Sequence, residues 1–413
     1  MDKVKEIIML KMHLLSHSSL EKLASETNTT TPQWEMGLGR SMRIGILGSR
    51  GIPNAYGGFE QFAQYLAAGL VQRGHSVWVY NSSENPYQEK EWEGVHIVRC
   101  NDWERRIGSA GQFIYDYNCL MDARKRNFDV LLQLGYTSSS VWHHLWPKGP
   151  LNVINMDGME WMRAKYGPIT RKFLLRAEKW AVRHSDVVVA DSVGIRDYLE
   201  EKYRKAVTHI PYGAEIPDFY DAGKLGRWGL KPNGYFLLMA RMEPENNIEM
   251  IIRGWLASKK KKPLVLIGNT GNNFGRYLQK NYRHEKLLFI GGIYQNEVAN
   301  ALRHYSSLYF HGHSVGGTNP SLLEAMACRS TIMAHDNFFN KGILGREAGY
   351  FSSAEDIRRL LENLPEQKVV HDWKRVNVEK VRNLYTWDGI VENYLKLFLE
   401  NISVQRKKVQ FAK

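Results

Sequence analysis

The chain has 413 residues, 43% of them apolar and 12% aromatic, enough to bury two or three cores and to exclude wholesale disorder. Fifty-six Lys and Arg against 43 Asp and Glu leave a formal charge of +13, which suits a phosphate-bearing partner, whether nucleotide, nucleic acid or anionic membrane face. The three cysteines, Cys100, Cys119 and Cys328, form no Cys-x-x-Cys pair, so neither a disulfide framework nor a zinc ribbon is supported and a reducing cytoplasm is the expected compartment. No run nears the roughly 20 apolar residues that span a bilayer, and the N-terminus reads as lacking a signal peptide's apolar centre.

Residues 1–41 are mixed and Ser/Thr-rich, and are expected to form a disordered extension, with Met42 a candidate true start. A strand pattern then begins abruptly at Met42-Arg43-Ile44-Gly45-Ile46-Leu47-Gly48. Short apolar runs alternate with amphipathic stretches at Ile44–Gly48, Val77–Tyr80, Val95–Val98, Val130–Leu134, Asn152–Met156 and Val187–Ala190. A second series runs through Tyr235–Ala240, Leu264–Gly268, Leu287–Ile290, Leu308–His311 and Thr331–Ala334. This alternation predicts an α/β protein with two doubly wound Rossmann-like domains, at 42–220 and 221–385. A helix over 386–402 carries the apolar stripe Trp387, Ile390, Val391, Tyr394, Leu395 and Phe398, and a basic tail, 403–413, is expected to fray.

Gly45-x-x-Gly48-x-x-Gly51 follows the first strand and leads through Tyr56-Gly57-Gly58-Phe59-Glu60 into a helix. Amides of Gly57 and Gly58 at that helix start are candidates to approach an anionic ligand, the alternative being a tight turn without one. The spacing is not that of dinucleotide enzymes, and the second strand ends at Asn81 rather than an acid that could hold a ribose, which weakens an NAD-linked reading. Asp157 and Glu160 sit at the end of a strand, beside Arg163, where they could accept hydrogen bonds from sugar hydroxyls, serve as a base, or cap the next helix. Between 164 and 184 six Lys or Arg meet one Glu, interleaved with apolar residues. That segment is either a basic helix able to lie on anionic lipid or an ordinary solvated face. No recognition motif for nucleic acid accompanies the charge.

In the second half Arg241 follows a strand, ahead of Glu243-Pro244-Glu245-Asn246, well placed to hold a diphosphate. His311-Gly312-His313-Ser314-Val315-Gly316-Gly317-Thr318-Asn319-Pro320 then passes from strand through a glycine-rich loop into a helix, with Asn319 as N-cap and Pro320 at the first position. Its amides would receive phosphate oxygens, and Glu324 could accept ribose hydroxyls. The same stretch holds Gly312-x-Ser314-x-Gly316, the pattern of a serine-hydrolase elbow, although the helix starts late for one. His311 and His313 suggest a metal but lack a third ligand at suitable spacing, and no Asp-x-Asp is present, so no metal is expected.

The strand–Arg241–helix unit and the run Pro320 to Ala327 with its Glu-Ala-Met-Ala resemble retaining glycosyltransferases of family 4, over about Met42 to Asn401. The block Gly45 to Glu60 is similar to bacterial rhamnosyltransferases acting on lipid-linked or polysaccharide acceptors. The resemblance implies a GT-B fold, with two Rossmann-like domains facing across a cleft and the C-terminal helix packing back on the N-terminal domain. It implies transfer of a sugar, rhamnose in the subgroup, from a dTDP- or UDP-linked donor, with no cofactor or metal. Of the site residues the resemblance carries over Arg241 and Glu324; read from the residues themselves, Asn246, Gly317, Thr318 and Asn319 would join them in holding the donor, and Asp157, Glu160 and Arg163 would hold the acceptor, with Arg241, Asp157 and Glu160 catalytic. The acceptor would be a glycan or lipid-linked saccharide at the inner face of the plasma membrane. Two departures stand out: Gly316 replaces the family's first acid, and Asn246 replaces its lysine. A non-catalytic nucleotide-sugar binder is therefore a further alternative.

Overall fold

The computed structural model describes residues 41–411 apart from 56, 157, 164, 165, 260 and 261. The expected extension 1–41, save Ser41, and the candidate Asp157 thus lie outside the described residues. The chain forms two compact units. The first comprises residues up to 157, 174–210 and 391 onward; the second comprises 158–173 and 211–390. Residues 158–173 and 211–220, expected in the first domain, group with the second unit.

The first unit is built on an eight-stranded sheet of order β3-β4-β2-β1-β5-β6-β7-β8. In chain order its elements are β1 (Arg43–Leu47), α1 (Gly58–Gln72), β2 (Ser76–Ser82), β3 (Glu91–Trp92), β4 (Val95–Cys100), α2 (Glu104–Ile107) and α3 (Gly111–Ala123). There follow β5 (Val130–Leu134), β6 (Leu151–Asn155), α4 (Pro168–His184), which starts among the second unit's residues, β7 (Val187–Ala190), α5 (Val193–Tyr203) and β8 (Val207–His209). All neighbours pair in parallel except β3 with β4. Central strands β5, β6 and β7 are buried throughout, the mark of a sheet covered on both faces.

The glycines after β1 are there for packing. A Cβ on Gly48, whose φ is 91°, would meet the Leu134 carbonyl oxygen at 2.1 Å. Asn81 takes the place where a ribose-binding acid would stand and instead clamps this loop: its Oδ1 accepts from the Ile52 amide at 3.0 Å and its Nδ2 donates to the Ile52 carbonyl at 2.7 Å.

The second unit has a six-stranded parallel sheet of order β11-β10-β9-β12-β13-β14. Its elements are β9 (Phe236–Met239), α6 (Ile248–Ala257), β10 (Leu264–Ile267), α7 (Asn273–Asn281), β11 (Leu287–Gly291), α8 (Asn296–His304), β12 (Leu308–His311), α9 (Pro320–Ala327), β13 (Ile332–His335), α10 (Phe338–Leu344), β14 (Gly349–Phe351), α11 (Ala354–Glu362) and α12 (Gln367–Leu384). Phe236, Leu238, Ile251, Trp255, Leu266 and Phe310 are among the buried side chains of one core.

The last helix, α13 (Trp387–Phe411), buries its stripe as the sequence predicts. In the first unit Val391 lies against Gly69 of α1, the Phe62 and Tyr394 rings meet edge-on at 5.4 Å, and Asn155 Nδ2 donates to the Tyr394 hydroxyl at 3.0 Å. The helix continues to Phe411, through most of the tail expected to fray. Once the buried stripe nucleates it, each added residue brings one further backbone hydrogen bond.

Candidate functional site

In the second sheet β9 comes first in the chain, β10 and β11 lie on one side of it and β12 on the other, so strand order reverses between β9 and β12. Open α/β sheets bind ligands in the crevice outside the carboxyl ends of strands at such a reversal. The two segments singled out in the sequence emerge there: residues 240–247 after β9, and residues 312–319 after β12.

These loops are fastened to each other. The Ser314 amide and hydroxyl both donate to the Glu245 carbonyl, at 3.0 and 2.8 Å. Asn247 Nδ2 donates to the Gly312 carbonyl at 2.8 Å. Asn246 is buried, and its Nδ2 donates to the Arg241 carbonyl at 2.8 Å, so its amide group holds the loop's shape. Arg241 itself is exposed, and its side chain makes no hydrogen bond or ion pair among the described residues.

After the second loop α9 starts as predicted: Pro320 is at the first position and Asn319 Oδ1 accepts from the Ser321 amide at 2.9 Å. Gly316 has φ 135° with open space where a Cβ would be, and Gly317 and the buried Thr318 complete the loop. Glu324, one turn into α9, pairs with Arg303 of α8, whose side chain is only 5% exposed. The guanidinium also contacts Asn300 Oδ1 at 3.3 Å and Met239 Sδ at 3.0 Å, which fixes the carboxylate's orientation beneath the loop.

The acceptor candidates divide. Glu160 and Arg163 form a salt bridge at 2.7 Å, and Arg163 reaches the buried Glu245 at 3.4 Å. They therefore belong with the Arg241 loop of the second unit, and Glu160 is ion-paired rather than poised as a lone base. Tyr166 lies in the same neighbourhood, its hydroxyl pushed up by burial and by Glu160. Gly57 and Gly58 stand at the start of α1 in the first unit, where Glu60 accepts from the Arg50 amide at 2.7 Å.

Sequence reasoning missed Arg303, which has no local motif, and gave His311 and His313 no role beyond a metal reading for which it found no third ligand. The two rings stack at 4.4 Å. Burial, with His313 and His335 nearby, holds His311 well below the usual histidine range. His313 is driven down to about 3 by burial, then by Arg241 and Arg163. Among the described residues no group of three or more His, Cys, Asp or Glu could hold a metal ion. The elbow reading also fails on geometry, because the Ser314 hydroxyl donates to a backbone carbonyl and not to a histidine.

Residues 228–376 match the family described as glycosyl transferases group 1, and residues 42–215 match a domain of unknown function (DUF1972). Sucrose-phosphate synthase from Thermosynechococcus elongatus aligns with a TM-score of 0.74 at 16% identity, covering 88% of this chain and 100% of that one. Anabaena HepE, in complex with UDP and glucose, aligns with a TM-score of 0.66 at 13% identity, covering 87% and 100%. The chain has the GT-B fold. An uncharacterized glycosyltransferase of Methanocaldococcus jannaschii is 25% identical over 244 residues, 53% of this chain and 60% of that protein, so the chain spans about three-fifths of that relative's length. Together the matches support a glycosyltransferase. Among the described residues no helix is long and apolar enough to cross a membrane.

Proposed function

We propose that the chain is a glycosyltransferase that moves a sugar from a nucleotide diphosphate sugar to a glycan or lipid-linked saccharide acceptor. The observation that carries this reading is the exposed Arg241, without a hydrogen bond or ion pair among the described residues, in the loop at the strand-order reversal that is fastened to a glycine loop ending in a capped helix start. A guanidinium and a set of fixed amides form a pre-organised receptor for two linked phosphoryl groups, and stabilise the charge that grows on the departing diphosphate. The group 1 match over residues 228–376 and the UDP complexes of HepE support it.

The finer reading follows the sequence resemblance: a family 4 enzyme acting with retention by same-face attack, a dTDP- or UDP-linked rhamnose donor, and a role in bacterial surface polysaccharide synthesis. Gly316 in place of an acid suits a donor with fewer polar handles, such as a 6-deoxyhexose. Arg163 and Glu160 are the described candidates beside the donor pocket for acceptor contact, and Asp157 is proposed with them. The exposed basic residues Lys172, Arg176, Lys179 and Arg183 of α4, with Ile169 86% exposed, suit peripheral contact with an anionic membrane.

A thermal-shift screen of dTDP- and UDP-sugars is the test, followed by turnover with an acceptor extract. Arg241→Ala should keep the wild-type melting temperature, because the side chain is exposed, and lose most turnover. Unchanged turnover refutes the diphosphate role. Binding without turnover by the wild-type protein would leave a nucleotide-sugar binder.

A further inference from the structure

The loop between β12 and α9 contains a histidine that the donor-site reading does not use. The backbone of His313 is fixed on its carboxyl side: its carbonyl accepts from Asn337 Nδ2 at 2.9 Å and Asn340 Nδ2 at 3.1 Å, and the next residue is clasped to Glu245. Below the ring lies His311, 1% exposed, stacked on it and with both nitrogens lacking a partner. Nδ1 of His313 is likewise sealed without a partner, whereas Nε2 is not among the sealed, unpartnered atoms and the residue as a whole is half-buried. An unpaired buried acceptor is less costly than an unpaired buried N–H, which keeps the proton on Nε2. Arg241 and Arg163 stand close enough to disfavour a second proton.

A rigid neutral imidazole beside two guanidiniums adds a directional N–H donor without adding charge. The guanidiniums answer the phosphates; a neutral donor answers an uncharged oxygen. Gly316 brings no side chain to this loop and leaves open space where a Cβ would be. We propose that His313 is a specificity-determining residue whose Nε2–H donates to a hydroxyl oxygen of the donor's glycosyl group. The inference rests on the nucleotide-sugar reading above and goes beyond it by naming the group that reads the sugar rather than the diphosphate.

The experiment uses the full chain and isothermal titration with UDP, dTDP, UDP-glucose and dTDP-rhamnose, on wild type, His313→Ala and His313→Gln, without acceptor. Gln places an amide N–H near the position of Nε2. For whichever nucleotide sugar the wild type binds, His313→Ala should lose about tenfold in affinity and His313→Gln should recover part of that loss, while the matching free nucleotide stays within about twofold. The melting temperature of each variant checks that it is folded before its affinities are compared. Equal losses for nucleotide and nucleotide sugar would make the ring a diphosphate or structural group and overturn the inference, as would unchanged sugar affinity. Wild type that binds none of the four would sink the functional reading itself, a result distinct from bound donor with indifferent variants.

Discussion

Gly312→Ala tests whether the two site loops are one packed object. A Cβ on Gly312 would lie 2.0 Å from the Asn246 carbonyl oxygen and 3.0 Å from Ile251 Cδ1. Carbon and carbonyl oxygen ordinarily approach no closer than about 3.3 Å, so the loops must separate by more than an ångström. The oxygen is backbone in a turn held by the Asn246 amide donating to the Glu243 carbonyl at 3.0 Å, and it cannot swing away alone. Separation strains the two Ser314 hydrogen bonds to Glu245, each contributing about 0.5–1.5 kcal/mol. Overpacking adds about 1–3 kcal/mol, for a total of about 2–6 kcal/mol. At about 2–4 °C per kcal/mol for a unit of this size, the second unit should melt roughly 10 °C lower. Affinity for the nucleotide diphosphate should fall as well, because Arg241 and the glycine amides lose their spacing. The control is Gly342→Ala on an exposed position of α10 with nothing near the new Cβ, which should raise stability by about 0.5–1 kcal/mol. If Gly312→Ala melts with wild type and binds nucleotide equally well, the loops do not depend on that contact.

Arg303→Met should destabilise the second unit by about 3 kcal/mol in urea titration, since it strips the buried partner from Glu324. Adding Glu324→Gln should return much of that loss, and additive effects in the double-mutant cycle would show the pair to be uncoupled. Asp116 of α3 is buried, and burial lifts its carboxyl to about 7 despite hydrogen bonds from Ser138 and Gln112. The folded state therefore keeps a proton that the unfolded chain releases near 4, so wild type loses stability as pH climbs from about 4 to about 7 and none above. Asp116→Asn lacks this term: its melting temperature minus that of wild type should rise across the window, and parallel curves would contradict the assignment. Vesicles with anionic lipid should sediment the wild-type chain in a salt-sensitive manner, and a quadruple Gln variant at Lys172, Arg176, Lys179 and Arg183 should stay in the supernatant.

Most of the scaffold was legible because its signals are local. Apolar runs of four to six residues located the long central strands, and Val130–Leu134, Val187–Ala190 and Leu308–His311 have the bounds expected. Two- and three-residue strands such as Glu91–Trp92 and Gly349–Phe351 escaped, since so short a run carries no period. The grouping of residues 158–173 with the second unit was also hidden. Nothing near Arg163 in the chain announces a carboxylate at Glu245, yet that contact ties the segment to the Arg241 loop. Asn246 looked like a weakened lysine in the sequence, but its partner is the carbonyl of Arg241 five residues earlier, which makes it part of the loop's own frame.

The glycine loop shows the boundary most sharply. Strand, glycines, Asn-Pro and helix are a consecutive pattern, and its physical meaning, open amides at a helix start, follows without knowing the rest of the fold. Whether Ser314 in that same loop is a nucleophile depends on what meets its hydroxyl, and the group that does lies in another loop. The Glu245 carbonyl takes both the hydroxyl and the amide of Ser314, so the residue that gave the stretch its hydrolase pattern serves to lock the loop against Arg241's own. One spacing thus fits two chemistries, and the contact between β9's loop and β12's argues against the nucleophile.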